Sequence, residues 1–254
     1  MKKKGMKSVE DLLAALIPML LLTGIVLFVG FAVTLGSLFY FRRRSFEKST
    51  YKQVTQERFL KAVSDKGIWG EYLTTRQLEK VGGYGKFVMN TYIPKARGKG
   101  LTEIDVTFIH ESGIYVLESK NYSGWIFGKE ADRQWTQMFK NRYKQKFYNP
   151  IKQNEQHLKS MERFLEGTVG EEVFQSVIVF SERCELKKIT VDSSHVHVIR
   201  RNNLRRTIKK LATVDRLTPA QVDAVYKQLK QQSQVEQEVK DAHIESVKSF
   251  TSYK

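Results

Sequence analysis

Asp105, Glu118 and Lys120 lie within one short stretch, LTEIDVTFIHESGIYVLESKNYSGW, from Leu101 to Trp125. Two carboxylates are hard oxygen ligands for a divalent cation, and an ammonium beside them can orient a water or stabilise developing negative charge. This chemistry requires all three on one surface. The pattern predicts two β-strands that put them there. Ile104, Val106 and Phe108 alternate with Glu103, Asp105 and Thr107, and Tyr115 and Leu117 alternate with Ile114, Val116, Glu118 and Lys120. Period-two alternation around a Glu-Ser-Gly turn is a hairpin signal. A two-residue loop of Glu111 and Ser112 places Asp105 opposite Glu118, with Cβ atoms roughly 5 Å apart, where like charges destabilise a sheet. Lys120 shares the face of Glu118. On this reading the opposed carboxylates repel without metal, so neutralising either one leaves the fold equally or more stable. A solvated charged sheet face is the competing reading, and a three-residue loop would shift the register and separate the pair.

Other stretches supply candidate partners. Ser64 or Asp65 can cap a helix running to about Val81, with Ile68, Tyr72, Thr75 and Leu78 on its inner stripe and Glu71 along it. Glu71 is therefore a candidate further ligand or an ordinary helical glutamate. Residues 94–100 form a basic loop leading into the hairpin. No acidic residue occurs between Asp132 and Glu155, and Lys140, Arg142, Lys144, Lys146 and Lys152 alternate with Phe139, Tyr143, Phe147 and Tyr148. Cations neutralise phosphates and aromatics stack on bases, which suits nucleic acid; core aromatics among solubilising lysines fit the same pattern. Asn149 and Pro150 open a helix whose Ile151, Leu158, Met161 and Leu165 face inward. Gln153 and His157, four apart, share a neighbouring face. His195 and His197 lie on one strand face without an evident third zinc ligand.

The order Asp105, twelve intervening residues, then Glu118-Ser119-Lys120 resembles the D…E-x-K signature of the PD-(D/E)XK nuclease superfamily. Glu103-Ile104-Asp105 followed by Glu118-Ser119-Lys120-Asn121-Tyr122-Ser123-Gly124 resembles the nuclease-related domain (NERD) family. The likeness extends from Gly70-Glu71 to Asn149-Pro150…Gln153-Asn154, roughly residues 64 to 180. The resemblance implies an α/β (α+β) fold, a restriction-endonuclease-like core with a mixed sheet carrying the acidic residues. It implies Mg²⁺ or Mn²⁺ at Asp105, Glu118 and the Ser119 carbonyl, with Glu71 as a further ligand from the first helix. Lys120 would act in the chemical step, and Gln153 would position phosphate or water.

The chain has 254 residues, a net charge of +16 and a pI of about 9.8, a balance that favours anionic partners: nucleic acid, DNA or RNA, or an anionic membrane face. Its one cysteine, Cys184, excludes an intrachain disulfide framework. Residues 12–41 carry no charged side chain and as a helix reach about 45 Å, whereas a bilayer core of about 30 Å needs roughly 20 residues. A retained single-pass anchor is expected rather than a cleaved signal, whose apolar region is about 7–15 residues. Arg42, Arg43 and Arg44 abut the span, while the lysines at 2–4 and 7 are separated from it by Glu10 and Asp11, so the positive-inside rule favours a cytoplasmic C-terminal domain at the cell membrane.

The expected organisation is a basic segment at 1–11, a transmembrane helix at 12–41, a juxtamembrane linker at 42–62, the nuclease-related domain at 63–215, and a C-terminal helix with polar tail at 216–254. The function this supports is metal-dependent hydrolysis of phosphodiester bonds by a membrane-anchored protein. A membrane-tethered module that binds nucleic acid or protein without cleavage is the alternative.

Overall fold

A computed structural model describes residues 9–233. The start of the basic N-terminal segment and most of the polar tail lie outside these described residues. Contacts divide the chain into two units, at Lys48 and Ser49.

The first unit is dominated by α1 (Val9–Glu47), which contains Pro18. From Leu12 to Glu47 it has a mean hydropathy of 2.8, and its apolar side chains are exposed. Thr23 and Thr34 donate their hydroxyls to the carbonyls of Met19 and Gly30, one turn back, so neither needs an outside partner. Among the described residues this is the one helix long and apolar enough to cross a membrane. Its place near the N-terminus is also one that a signal sequence occupies.

The second unit begins with three short helices: α2 (Thr50–Thr55), α3 (Phe59–Ser64) and α4 (Lys66–Leu78). Residues 49–62 differ from the extended linker the sequence suggests. Tyr51, Phe59 and Ala62 are buried, and an edge-to-face contact between Phe59 and Trp69 joins α3 to α4. Their scattered apolar residues gave no helical period, yet each has a large side chain that α4 can cover. Asp65 caps α4 by accepting from the backbone N–H of Gly67 and Ile68, and the helix stops at Leu78 rather than about Val81.

The main sheet runs β1 (Gly85–Pro94), β2 (Leu101–His110), β3 (Gly113–Lys120), β7 (Phe174–Phe180) and β9 (Val196–Arg200) in that spatial order. The first three strands pair antiparallel, and β3, β7 and β9 pair parallel. Strand β3 is central and buried on both faces, which explains its continuous apolar run. On one face Ile114 and Val116 pack with Leu158 and Met161 of α5 (Pro150–Phe164) and with Val222 and Val225 of α7 (Pro219–Ser233). On the other, Tyr115 and Leu117 pack with Leu78 of α4 and with Leu204 and Ile208 of α6 (Arg201–Leu211).

A second mixed sheet, which the sequence did not announce, runs β6 (Lys144–Tyr148), β5 (Gln134–Met138), β4 (Gly124–Lys129) and β8 (Cys184–Thr190). Its core is Trp135, stacked on Phe180 of β7 with centroids 6.1 Å apart. The architecture is the expected α/β class with a mixed sheet, enlarged by this second layer.

Candidate active site

The site depends on the turn after β2. His110 pairs with Gly113, leaving Glu111 and Ser112 as the loop, and Val106 pairs with Leu117. That register sets Asp105 and Glu118 at the next facing positions, on the face covered by α5. A polar network holds the turn. The Ser112 hydroxyl lies 2.7 Å from His110 Nδ1 and 2.8 Å from the Tyr115 hydroxyl, and His110 Nε2 lies 2.9 Å from the Gly82 carbonyl. Nε2 must therefore donate, and Nδ1 accepts from the Ser112 N–H. Gly113 has φ +145°, and a Cβ there would come within 2.6 Å of the Val173 carbonyl oxygen. A side chain is thus excluded from the residue that closes the hairpin.

Glu118 is buried and engaged through both oxygens. Lys120 Nζ lies 2.7 Å from its Oε1, and His157 Nε2 lies 3.5 Å from its Oε2. Burial opposes ionisation, but Lys120 and then His157 overcome it and hold the carboxyl at a pKa of about 2. Lys120 also donates to Gln153 Oε1 at 3.0 Å, and burial notwithstanding, Glu118 holds its ammonium above the usual range.

Helix α5 delivers Gln153 and His157 because its first turns are pinned. Asn149 caps the helix through Oδ1 to the Ile151 N–H, while its Nδ2 donates to the carbonyls of Lys129, Glu130 and Asp132. Asn154 donates to the Val116 carbonyl of β3 and to Ser176 Oγ of β7. In the Asn-Pro-x-x-Gln-Asn element the two asparagines therefore fix the helix, and the glutamine reaches the site lysine.

Asp105 sits in a different electrostatic setting. Burial, and then the charges of Glu118 and Glu71, hold its carboxyl well above the usual carboxylate range. Asn90, opposite it on β1 by register, has φ +51°, and the β1–β2 ladder is interrupted there between its neighbours Met89 and Thr91. Glu71 on α4 belongs to the same acidic group. Burial raises it to about 7, although the Tyr51 hydroxyl donates to its Oε2 at 2.9 Å and favours the ionised form. Glu103, two residues before Asp105, accepts from the Tyr92 hydroxyl at 2.6 Å. The side chain of Ser119 faces the other way, 3.3 Å from Thr74 Oγ1 on α4.

The structure therefore gathers Asp105, Glu118, Lys120, Gln153 and Glu71 around one end of β3. It adds Tyr51, Glu103 and His157, which the sequence reading had not placed there. His157 had a usable signal, its four-residue spacing from Gln153. Tyr51 had none, since a helix remote in sequence brings it in.

The basic stretch divides. Lys140, Arg142, Lys144 and Lys146 are exposed on the β5–β6 hairpin. Lys152 starts α5 and donates to the Ala131 carbonyl; it lines a separate cleft with Lys95 and Arg97. Because β6 is an edge strand, its lysines also discourage edge-to-edge pairing.

No group of three or more His, Cys, Asp or Glu side chains among the described residues forms a ready metal cage. The donors nonetheless suit a hard divalent cation in kind: they are carboxylate oxygens, and the charges that press on Asp105 are those a cation would relieve.

Residues 66–181 match the nuclease-related domain. An uncharacterized protein of Bacillus anthracis is 32% identical over 180 residues, which are 70% of this chain and 82% of that relative. The chain belongs to the nuclease-related domain family, a class tied in general to nucleic acid. No solved structure matches it.

Proposed function

We propose that the domain hydrolyses phosphodiester bonds in nucleic acid using Mg²⁺ or Mn²⁺. The observation that carries this reading is Lys120 Nζ held between Glu118 and Gln153 beside Asp105, a charged group fixed from two sides in a polar site. Asp105 and Glu118 would hold the cation, with the Ser119 carbonyl and Glu71 as further donors. When bound, such an ion polarises the scissile phosphate and lowers the pKa of a water. Lys120 orients that water or meets the charge that develops on phosphate, and Gln153 fixes the ammonium. Glu118 is ionised at any physiological pH, whereas Asp105 and Glu71 keep their protons more tightly than free carboxyls. Both must lose them to ligate, so metal affinity should rise with pH up to and beyond about 7.

The test is a cleavage assay with several nucleic-acid substrates, with and without Mg²⁺, on a chain beginning at Ser49 so that Tyr51 is retained. Metal-dependent cleavage supports the reading. Binding without cleavage, and without metal uptake, favours the tethered binding module, which the exposed basic hairpin would serve equally well. Neutralising Lys140, Arg142, Lys144 and Lys146 together should weaken binding and flatten its salt dependence, each true phosphate contact contributing about 0.7 to 0.9 to the log–log slope. An unchanged slope would assign the four side chains to solubility and edge protection.

We further propose that α1 is a retained anchor with the C-terminal domain in the cytoplasm, on the strength of Arg42–Arg44. A cysteine placed at Ser252 should resist a membrane-impermeant thiol reagent in intact cells. Cys184 is buried and adds little background. Ready labelling at Ser252 would reverse the orientation.

A further inference from the structure

A cleft of about 810 Å³ opens next to the acidic site, between the start of β4, the β5–β6 turn and the β7–β8 turn. Its walls include Trp125, Phe139, Lys140, Arg183 and Arg200. Trp125 is 43% exposed, in contrast to the fully buried Trp135 two strands' ends away in sequence. At the hairpin tip Tyr143 is 61% exposed and stacks on Phe139 with ring centroids 5.9 Å apart. Large aromatic faces left open to water lose favourable burial, and here they lie together among cations.

The charge of the cleft is positive once its internal pairs are counted. Glu182 is matched by Arg201 at 3.1 Å, and Glu185 by Lys187 at 2.6 Å, whose ammonium also lies over the Trp125 ring. Lys140, Arg183 and Arg200 remain to face an anion. The cleft is also continuous with the site. Arg183 donates to both the carbonyl and the Oδ1 of Asn121, the residue after Lys120. Ser123, on the cleft wall, follows Lys120 by three residues, at most about 10 Å of extended chain.

We infer that this cleft holds a single-stranded segment of the nucleic acid, with bases stacked on Trp125 and on the Tyr143–Phe139 pair and phosphates at Lys140, Arg183 and Arg200. A duplex keeps its base faces inside the stack, so exposed aromatic rings serve unstacked bases only. The inference rests on the phosphodiester reading of the neighbouring site and names the form of its substrate.

The full-length chain in detergent tests it, with oligothymidylate and a duplex of equal length as probes in EDTA. Oligothymidylate should quench intrinsic fluorescence, because Trp125 is the tryptophan open to a stacked base. Trp125→Leu should abolish most of that quench and weaken single-strand binding roughly 5- to 150-fold, the range for one lost base–aromatic stack. Duplex binding should be unchanged. Tyr143→Ser, at a more exposed position, should weaken single-strand binding in the same direction, and thermal melts confirm that both variants fold. Equal affinity of wild type and Trp125→Leu for oligothymidylate overturns the assignment, as does tighter binding of duplex than of single strand by wild type. Lys120→Ala separates the two readings, since it should keep the quench while losing cleavage. A wild-type chain that shows the quench and its loss in Trp125→Leu, yet never cleaves, keeps the cleft and removes the nuclease.

Discussion

Replacing Lys120 with alanine should lower the rate of metal-dependent cleavage by about 100- to 1,000-fold, the usual loss when one preorganised donor to a developing charge is removed. Metal affinity should fall less, because the ammonium does not ligate. Nucleic-acid affinity should persist, since exposed cations elsewhere carry it. The geometry gives a reason to expect an effect on turnover rather than on binding. Lys120 Nζ is held by Glu118 at 2.7 Å and by Gln153 at 3.0 Å, so it meets the reacting group already oriented. Gln153→Ala should reproduce part of the loss by freeing the ammonium. Single-turnover rates with saturating metal would check both. A Lys120→Ala rate equal to wild type would move the chemistry elsewhere.

The second large effect concerns stability, measured in EDTA by thermal or urea unfolding. Asp105→Asn should stabilise the metal-free protein at neutral pH, whereas Glu118→Gln should destabilise it by about 3 kcal/mol. That figure sits at the low end for breaking a buried ion pair because the Lys120 side chain keeps 18% of its exposure. This corrects the simple expectation that either opposed carboxylate is better neutralised. Glu118 has two cationic or donor partners, and Asp105 has chiefly like-charged neighbours. The pH dependence follows with opposite signs. The Glu118 carboxyl falls from 4.5 to about 2 on folding, so its contribution is complete above pH 4.5 and is lost as pH drops towards 2. Glu71 rises from 4.5 to about 7, so its favourable term is complete below pH 4.5 and is lost as pH rises through 7. Glu71→Gln should therefore gain relative stability between pH 5 and pH 8. A variant whose melting point tracks wild type across that window would remove Glu71 from the acidic group.

The hairpin was legible because every local signal agreed. Alternation fixed the faces, Glu-Ser-Gly supplied a short turn, and the register follows from those two facts. Helix α5 was legible for the same reason, with an Asn-Pro start and an apolar stripe. The second sheet was not. Strand β8, CELKKIT, and strand β6, KQKFY, have mostly exposed side chains, so their alternation carries little apolar contrast, and β8 pairs in parallel with β4 from about 60 residues away. His157 could be placed on the Gln153 face but not against Glu118, since that contact depends on how Asn149 and Asn154 seat the helix. Tyr51 lay in a stretch whose composition reads as a tether. Only the tertiary fold shows a buried phenol that reaches the acidic group.

That phenol also decides where the chain can be severed without harm. Glu47 and Lys48 are exposed at the seam between the two units, while Ser49 and Tyr51 are buried. A trypsin-like protease cutting after Lys48 would shed the whole domain with its acidic group and its Tyr51 hydroxyl intact. A cut a few residues later would carry Tyr51 away and leave Glu71 without that donor. Shedding at the first position would turn a tethered protein into a diffusing one of the same chemistry, and clipping at the second would disarm it as it left.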